Sequence, residues 1–204
     1  MLIGLTGYKQ VGKDTVGQYL VDNYDFTRMG FADKLKEAVA NLFDIPVERV
    51  DQLKNVKAQC TVYEDVETDD KFEAGGYYEW AGFSWREFLQ RFGTEMGRYT
   101  FGTNFWVDLW ESQYTALSVM NPDEFRRVVV TDVRFENEAA RILSSGGFIA
   151  EVIRSGHSPD GHASEAGLDE DLIDDLIINN GTVEELYQSV DRLMERITDG
   201  SINY

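Results

Sequence analysis

The chain reads as an α/β protein built on a parallel sheet, and three features of its 204 residues carry that reading. Short apolar runs alternate with stretches of helical period, the pattern of strands joined by helical crossovers. The run "RRVVVTDVRF" (126–135) holds three consecutive valines, as suits a parallel strand covered on both faces. A strand, a glycine loop and a helix follow one another over residues 2–23, the opening unit of a sheet with right-handed crossovers.

In chain order, "LIGLT" (2–6) predicts a buried strand, and Val16, Tyr19 and Leu20 place a helix over about 13–23. "FTRMGF" (26–31) predicts a second strand. Leu35, Val39, Leu42 and Phe43 recur at helical spacing in "ADKLKEAVANLF", and a further helix follows Pro46. From about 55 to 83 no period of either kind persists, so this stretch is expected to be an inserted, partly irregular flap. Ser84 and Glu87 form a capping-box pattern that opens a helix over 84–98, and a helical pattern resumes at 104–117. "ENEAARILSSGG" predicts a helix with a glycine stop, "FIAEVIR" (148–154) a strand and "DLIINN" (175–180) a last strand. Thr182 and Glu185 cap a final helix to about 197.

Composition bounds the function. Acidic residues number 37 against 19 basic, a net charge of −18, which disfavours partnership with long nucleic acid, whose affinity comes from Lys and Arg on phosphates. The single cysteine, Cys60, cannot close an internal disulfide, and "MLIGLTGYKQ" lacks the charged and cleavage regions of a secretory signal. A cytoplasmic setting is expected, with no membrane partner, because no apolar run approaches the roughly 20 residues that cross a bilayer. One domain is expected, with a core of 1–50 and 120–204, an insertion over about 51–119 and a lid over about 155–167.

"GYKQVGKDT" (7–15) matches the spacing of a phosphate-binding loop, in which backbone amides and a helix N-terminus hold phosphate oxygens while a lysine reaches the outer phosphates. Gly7, Lys9, Val11, Gly12, Lys13, Asp14 and Thr15 are therefore candidate nucleotide contacts. Aspartate stands where serine or threonine usually touches magnesium. Asp14 either holds that ion, as hard cations favour oxygen, or favours the helix N-terminus electrostatically, and Thr15 is the next candidate metal contact.

Asp132, expected at the end of the valine strand, is a candidate for metal and acceptor, and Arg134 points to the same side of an extended chain. Asp33 orients an acceptor or magnesium, or caps its helix; Lys34 contacts the acceptor or is solvated. Arg91 and Arg98, seven apart, share one face of an α-helix with Glu95 between them, either as acceptor contacts or as an exposed ladder. Gln90 is placed to read a base edge. Phe92, Phe101, Phe105 and Trp106 form either a stacking wall or core. Arg154 ends a strand and enters the glycine-rich "SGHSPDGHASEAG", a lid able to exclude water and bring Arg154 to a transferring group.

"GYKQVGKDT", "FADKLKEAV", "LQRFGTEMGR", "VVVTDVRFENEA", "HASE" and "INNGTVEEL", in this order, resemble the deoxynucleoside monophosphate kinases of tailed bacteriophages over nearly the whole chain. The resemblance implies a three-layer P-loop kinase fold with a helical acceptor-binding insertion and a lid loop. It also implies ATP and Mg²⁺ as cofactors, a deoxynucleoside monophosphate as substrate, and the host cytoplasm as the setting. The family also shares the aspartate after the lysine. Asn179, Asn180, Gly181 and Thr182 form the turn after the last strand, which ends in a helix cap and by the resemblance would lie beside the adenine, with Asn180 and Gly181 as its contacts; Lys13, Arg134 and Arg154 would serve catalysis. His162, Ser164 and Glu165 match the family's "HxSE" pattern without a role derived from it. A homodimer is compatible with the sequence. The alternatives are dephospho-coenzyme A kinase, which shares the loop and the "AD" after the second strand, and a non-catalytic acidic nucleotide-binding protein. The "NKxD" sequence of guanine-nucleotide switches is absent.

Overall fold

The computed structural model describes residues 1–53, 57–61, 77–157 and 167–200, with 57–61 and 77–83 described by backbone alone. It divides into two compact units, Met1–Phe31 with Trp106–Tyr204, and Ala32–Phe105. The first unit holds five strands, β1 (Leu2–Thr6), β2 (Thr27–Arg28), β5 (Val128–Val130), β6 (Phe148–Ile153) and β7 (Asp175–Ile178). All pair in parallel, in the order β2-β5-β1-β6-β7. The expected parallel α/β sheet is present.

Each strand alternates its side chains between two helical layers, as the period of two requires. Ile3, Leu5, Val129, Phe148 and Ile177 face one core with Val16 and Leu20 of α1 (Lys13–Tyr24) and Val190 and Leu193 of α7 (Val183–Thr198). Leu2, Val128, Val130 and Ile149 face the other core with Val107 and Trp110 of α5 (Phe105–Met120) and Ile142 of α6 (Glu136–Ser144). Every residue of β1 is buried, because it runs between β5 and β6 under both layers. Tyr19 and Tyr24 of α1 donate to one carboxylate oxygen of Asp191 on α7, at 2.9 and 2.6 Å, and Tyr19 stacks on Tyr187 at 4.1 Å. Burial, then these bonds to Asp191, raise both tyrosines above their ordinary pKa.

Two strands are shorter than expected. β2 covers only Thr27–Arg28 of the 26–31 stretch, and β5 covers only Val128–Val130 of 126–135. Side chains take over the backbone donors that would have extended them. The Asp132 carboxylate accepts the amide of Phe31 at 3.0 Å, and Glu138 accepts the amides of Arg134 and Phe135 at 2.8 and 3.2 Å, which starts α6.

The second unit contains α2 (Asp33–Leu42), α3 (Val47–Leu53), an antiparallel pair β3 (Lys57–Thr61) and β4 (Tyr77–Ser84), α4 (Trp85–Arg91) and a π-helix (Phe92–Thr100). Its own core joins Val39, Val50, Trp85 and Leu89, with Phe43 edge-on to Trp85 at 4.7 Å. That packing groups α2 and α3 with α4, so the unit overlaps the expected insertion over 51–105 and begins earlier in the chain. The expected irregular flap contains the β3–β4 ladder. Residues 62–76, with most of the acidic run, lie outside the described residues.

The capping box forms as read: the Ser84 hydroxyl accepts the Glu87 amide, and Glu87 accepts the Ser84 amide at 2.7 Å. The Ser84 amide, and then the Ser84 hydroxyl, which lies 3.0 Å from the same carboxylate oxygen, hold the Glu87 carboxyl below its usual range. The same reciprocal box, Thr182 with Glu185, opens α7. Among the described residues no helix is long and apolar enough to cross a membrane.

Candidate active site

The loop after β1 reverses the chain through three positive-φ residues, Gly7 at 124°, Gln10 at 63° and Gly12 at 109°. Glycine is required at two of them for space as well as conformation. A Cβ at Gly7 would lie 2.3 Å from the Val152 carbonyl oxygen, and one at Gly12 2.6 Å from Asn179 Nδ2. Val11 between them is 1% exposed and anchors the loop in the core, while its carbonyl accepts Asn179 Nδ2 at 2.7 Å. Asn179 is itself buried at 8% exposure, so this bond ties the turn after β7 to the loop in a place sheltered from water.

α1 starts at Lys13 with Gly12 as N-cap and no side chain capping it. The first amides of a helix lack intrahelical acceptors and sit at the positive end of its dipole, which suits an anion. Lys13 Nζ donates to the carbonyls of Gly7 and Tyr8 at 2.6 and 2.7 Å, so its ammonium spans the loop mouth. A cleft of about 320 Å³ opens here, lined by Gln10, Gly12, Lys13, Asp14, Thr15 and Arg154, with Asn179, Gly181, Val183 and Leu186.

The structure thus brings Gly12, Lys13, Asp14, Thr15, Arg154 and Gly181 to one cleft. Asn180 lies beside it, its Oδ1 accepting the amide of Ser155 at 2.7 Å, which links the turn after β7 to the segment after β6. Asp14 has a partner that the sequence does not suggest: Arg28, at the end of β2, reaches its Oδ1 at 2.8 Å. Gln10, Val183 and Leu186 of the cleft, and Arg28 as the partner of Asp14 outside its lining, are what sequence reasoning passes over.

Asp132 and Arg134 are not among the residues lining that cleft. Both lie in the short segment after β5, where Asp132 accepts the Phe31 amide and the Arg134 amide is bound by Glu138. Glu151, on β6, is pushed above the usual carboxylate range by burial and then by the nearby Glu170.

In the second unit the N-cap of α2 is Ala32, which makes no side-chain cap bond. Asp33 therefore sits in the first turn, where its charge favours the helix N-terminus, and does not serve as the cap. Lys34 pairs with Glu37 at 2.6 Å.

The expectation that Arg91 and Arg98 share a face does not hold. The π-helix that begins at Phe92 closes i→i+5 rings, so α-spacing cannot be carried through it. Arg91 is exposed beside Glu95 at 4.0 Å, whereas Arg98 is buried and donates to the Thr103 carbonyl at 3.0 Å. Gln90 is half-buried on α4. Of the aromatics, Phe92 packs in the second unit's core, Trp106 is buried, and Phe101 is exposed and stacked on Phe105 at 5.1 Å. His162, Ser164 and Glu165, with lid residues 158–166, lie outside the described residues.

A phosphate group fits the loop, because both glycines clear space that a side chain would fill and the helix start is uncapped. For a divalent cation the donors are hard oxygens, those of Asp14 and Thr15. Among the described residues no three His, Cys, Asp or Glu side chains form a cage for an ion. Nucleotide-bound magnesium is ordinarily held by one or two carboxylates together with phosphates.

The fold is similar to that of the dephospho-CoA kinase from Campylobacter jejuni, with a TM-score of 0.50 at 13% identity over 98% of each chain. Among curated proteins the chain is 33% identical over 199 residues to a protein of Acanthamoeba polyphaga mimivirus provisionally named for deoxynucleotide monophosphate kinase activity. That alignment spans 93% of this chain and 94% of the relative. It is 24% identical to the deoxynucleotide monophosphate kinase of Enterobacteria phage T4 over 93% and 96% of the two chains. The enzyme of that name from Escherichia phage RB69 is 34% identical over 113 residues, 55% of this chain and 45% of the relative. The deoxynucleotide monophosphate kinase family matches residues 67–190, more than half of the sequence, and the chain belongs to that family.

Proposed function

We propose that this kinase transfers the γ-phosphoryl group of ATP to a 2′-deoxynucleoside 5′-monophosphate, giving the diphosphate and ADP, with magnesium. The observation that carries the donor side is the uncapped N-terminus of α1 behind a glycine loop, with Lys13 already held at the loop mouth. In the reaction a phosphate oxygen of the acceptor forms a bond to the γ-phosphorus as the bond to the β,γ-bridging oxygen breaks, and the electron pair leaves with ADP. The acceptor oxygen is already anionic, so no strong general base is needed.

Phosphoryl transfer is governed by positioning and by charge stabilisation. The loop and α1 amides hold the β- and γ-phosphates, and Lys13 exchanges the Gly7 and Tyr8 carbonyls for phosphate oxygens. Arg154, on the same cleft, offers a second cation to the transferring group; the catalytic role that the family resemblance implies for Arg134 would be played from outside the residues that line the cleft. Magnesium, when bound, neutralises charge that develops between β- and γ-phosphates. Asp14 and Thr15 are the residues of the cleft that would hold it, with Asp132, bound to the Phe31 amide outside the cleft lining, as a further candidate. Asn180 and Gly181 border the adenine, with the apolar Val183 and Leu186 on the same cleft to receive a ring.

Acceptor recognition is assigned to the second unit. Arg98 is assigned to the monophosphate and Gln90 to the base edge, with Asp33 and Lys34 in the first turn of α2 as further acceptor contacts; Arg91, on a different face from Arg98, is left to its pairing with Glu95. The setting is the cytoplasm that supplies ATP. Fold likeness to a dephospho-CoA kinase at 13% identity speaks for architecture alone. The test is ADP release from ATP and Mg²⁺ with each of dAMP, dGMP, dCMP, dTMP, their ribose forms and dephospho-coenzyme A. Turnover with one or more deoxynucleotides is expected; activity confined to dephospho-coenzyme A would replace the acceptor assignment.

A further inference from the structure

Asp14 is an unusual residue for its place. It stands second in α1, where the helix start and loop amides favour an anionic ligand, so its carboxylate would meet a polyphosphate of the same sign. A serine or threonine there would present no such conflict. The structure supplies a counter-charge from another element. Arg28, last residue of the edge strand β2, donates from Nη2 to Asp14 Oδ1 at 2.8 Å. An arginine keeps its charge at every relevant pH and offers several donors, so it can neutralise the carboxylate without being consumed by one contact.

The pair is also built to part. The side chains are 43% and 81% exposed, and exposed ion pairs favour the paired state only by a factor of about 1.5 to 5. A divalent cation bound with nucleotide outcompetes such a partner. We propose that Arg28 is a positioning residue for Asp14: its guanidinium holds and neutralises the carboxylate until a metal-nucleotide arrives, then yields it. Arg28 thereby lets the loop accept a triphosphate before the metal is seated. The inference rests on the reading that this loop takes ATP with a divalent cation.

The test is calorimetric titration of ATP into the full chain, once with excess EDTA and once with excess MgCl₂, which reads binding and needs no turnover. Arg28→Ala is expected to weaken metal-free ATP binding by about 1.5- to 5-fold, the range of an exposed pair, and by more than it weakens Mg-ATP binding, which stays within about 1.5-fold. Arg28→Lys is expected to retain most of the wild-type ratio between the two conditions. In an Asp14→Asn background, Arg28→Ala should no longer change that ratio.

Equal weakening in both conditions would overturn the proposal in favour of a direct phosphate contact by Arg28. So would an unchanged ratio in Arg28→Ala, or one that still shifts when Asp14 is already Asn. Wild-type chain that binds ATP in neither condition would overturn the donor reading and this inference with it. Binding with an unresponsive ratio would overturn the inference alone.

Discussion

Asn179→Ala removes a buried side-chain bond between the nucleotide loop and the turn after β7. Its Nδ2 donates to the Val11 carbonyl at 2.7 Å, with Asn179 at 8% and Val11 at 1% exposure, so water is poorly placed to replace the amide. Removing one partner of a buried hydrogen bond and orphaning the other costs about 1–3 kcal/mol. In a chain of this size each kcal/mol lowers Tm by about 2–4 °C, which puts the loss at about 2–12 °C.

The bond fixes the carbonyl that precedes Gly12, hence the direction of the α1 amides. Part of the loss should therefore appear in ATP binding, and its upper bound is the whole 1–3 kcal/mol, about 5- to 150-fold in the ATP Michaelis constant. The acceptor constant should stay within twofold. Thermal melts and initial rates with each substrate varied in turn measure both. A Tm loss in that range with an unchanged ATP constant would refute the claim that Asn179 shapes the nucleotide loop, and leave it a role in the fold alone. Asn180→Ala, at an exposed position, should lower Tm by less.

Gly7→Ala places a Cβ 2.3 Å from the Val152 carbonyl oxygen at a φ of 124°, and backbone rather than a flexible side chain must give way. The expected result is a Tm loss from at least about 1–3 kcal/mol of strain and a sharp fall in ATP binding, read by melting and titration. Arg98→Ala should raise the acceptor Michaelis constant far more than that of ATP, with a stability loss because the side chain is buried on Thr103; equal effects on both constants would remove Arg98 from the acceptor role. Glu151 has a raised pKa in the folded chain, so folding binds its proton more tightly than the unfolded chain does. Its contribution is fully present below its ordinary value of 4.5 and is lost as pH rises through the folded value. Glu151→Gln should therefore be more stable than wild type at pH 7, by a margin that shrinks toward pH 5 in urea unfolding. A margin constant across that range would mean that Glu151 does not titrate there.

Local chemistry made much of the fold legible. The strand at residues 2–6, the helix start at Lys13 and the two capping boxes each rest on neighbours within a few residues, and each forms where its spacing places it. The losses come where a distant group intervenes. Strand β5 stops at Val130 because Asp132 and Glu138 bind amides that pattern alone leaves to the ladder. The Arg91–Arg98 face fails because "FGTEMGRYT" winds as a π-helix, and nothing in an apolar period distinguishes that from the α form it interrupts. At the site, Lys13, Gly12 and Arg154 are readable as a motif and a strand end, whereas the Arg28 partner of Asp14 is brought in by the sheet from 14 residues away. Asn179 is visible as a turn residue, but its bond to Val11 spans 168 residues and belongs to the tertiary structure.

A loop that passes a phosphoryl group from ATP to a nucleotide leaves that group traceable from donor to product. With γ-labelled ATP, Mg²⁺ and the four deoxynucleoside monophosphates, the label should appear in a deoxynucleoside diphosphate, one per ADP formed. It should fall by at least about 100-fold in Lys13→Ala, the scale for losing one preorganised charge-stabilising group. Label released only as inorganic phosphate, or transfer undiminished in Lys13→Ala, would contradict the account.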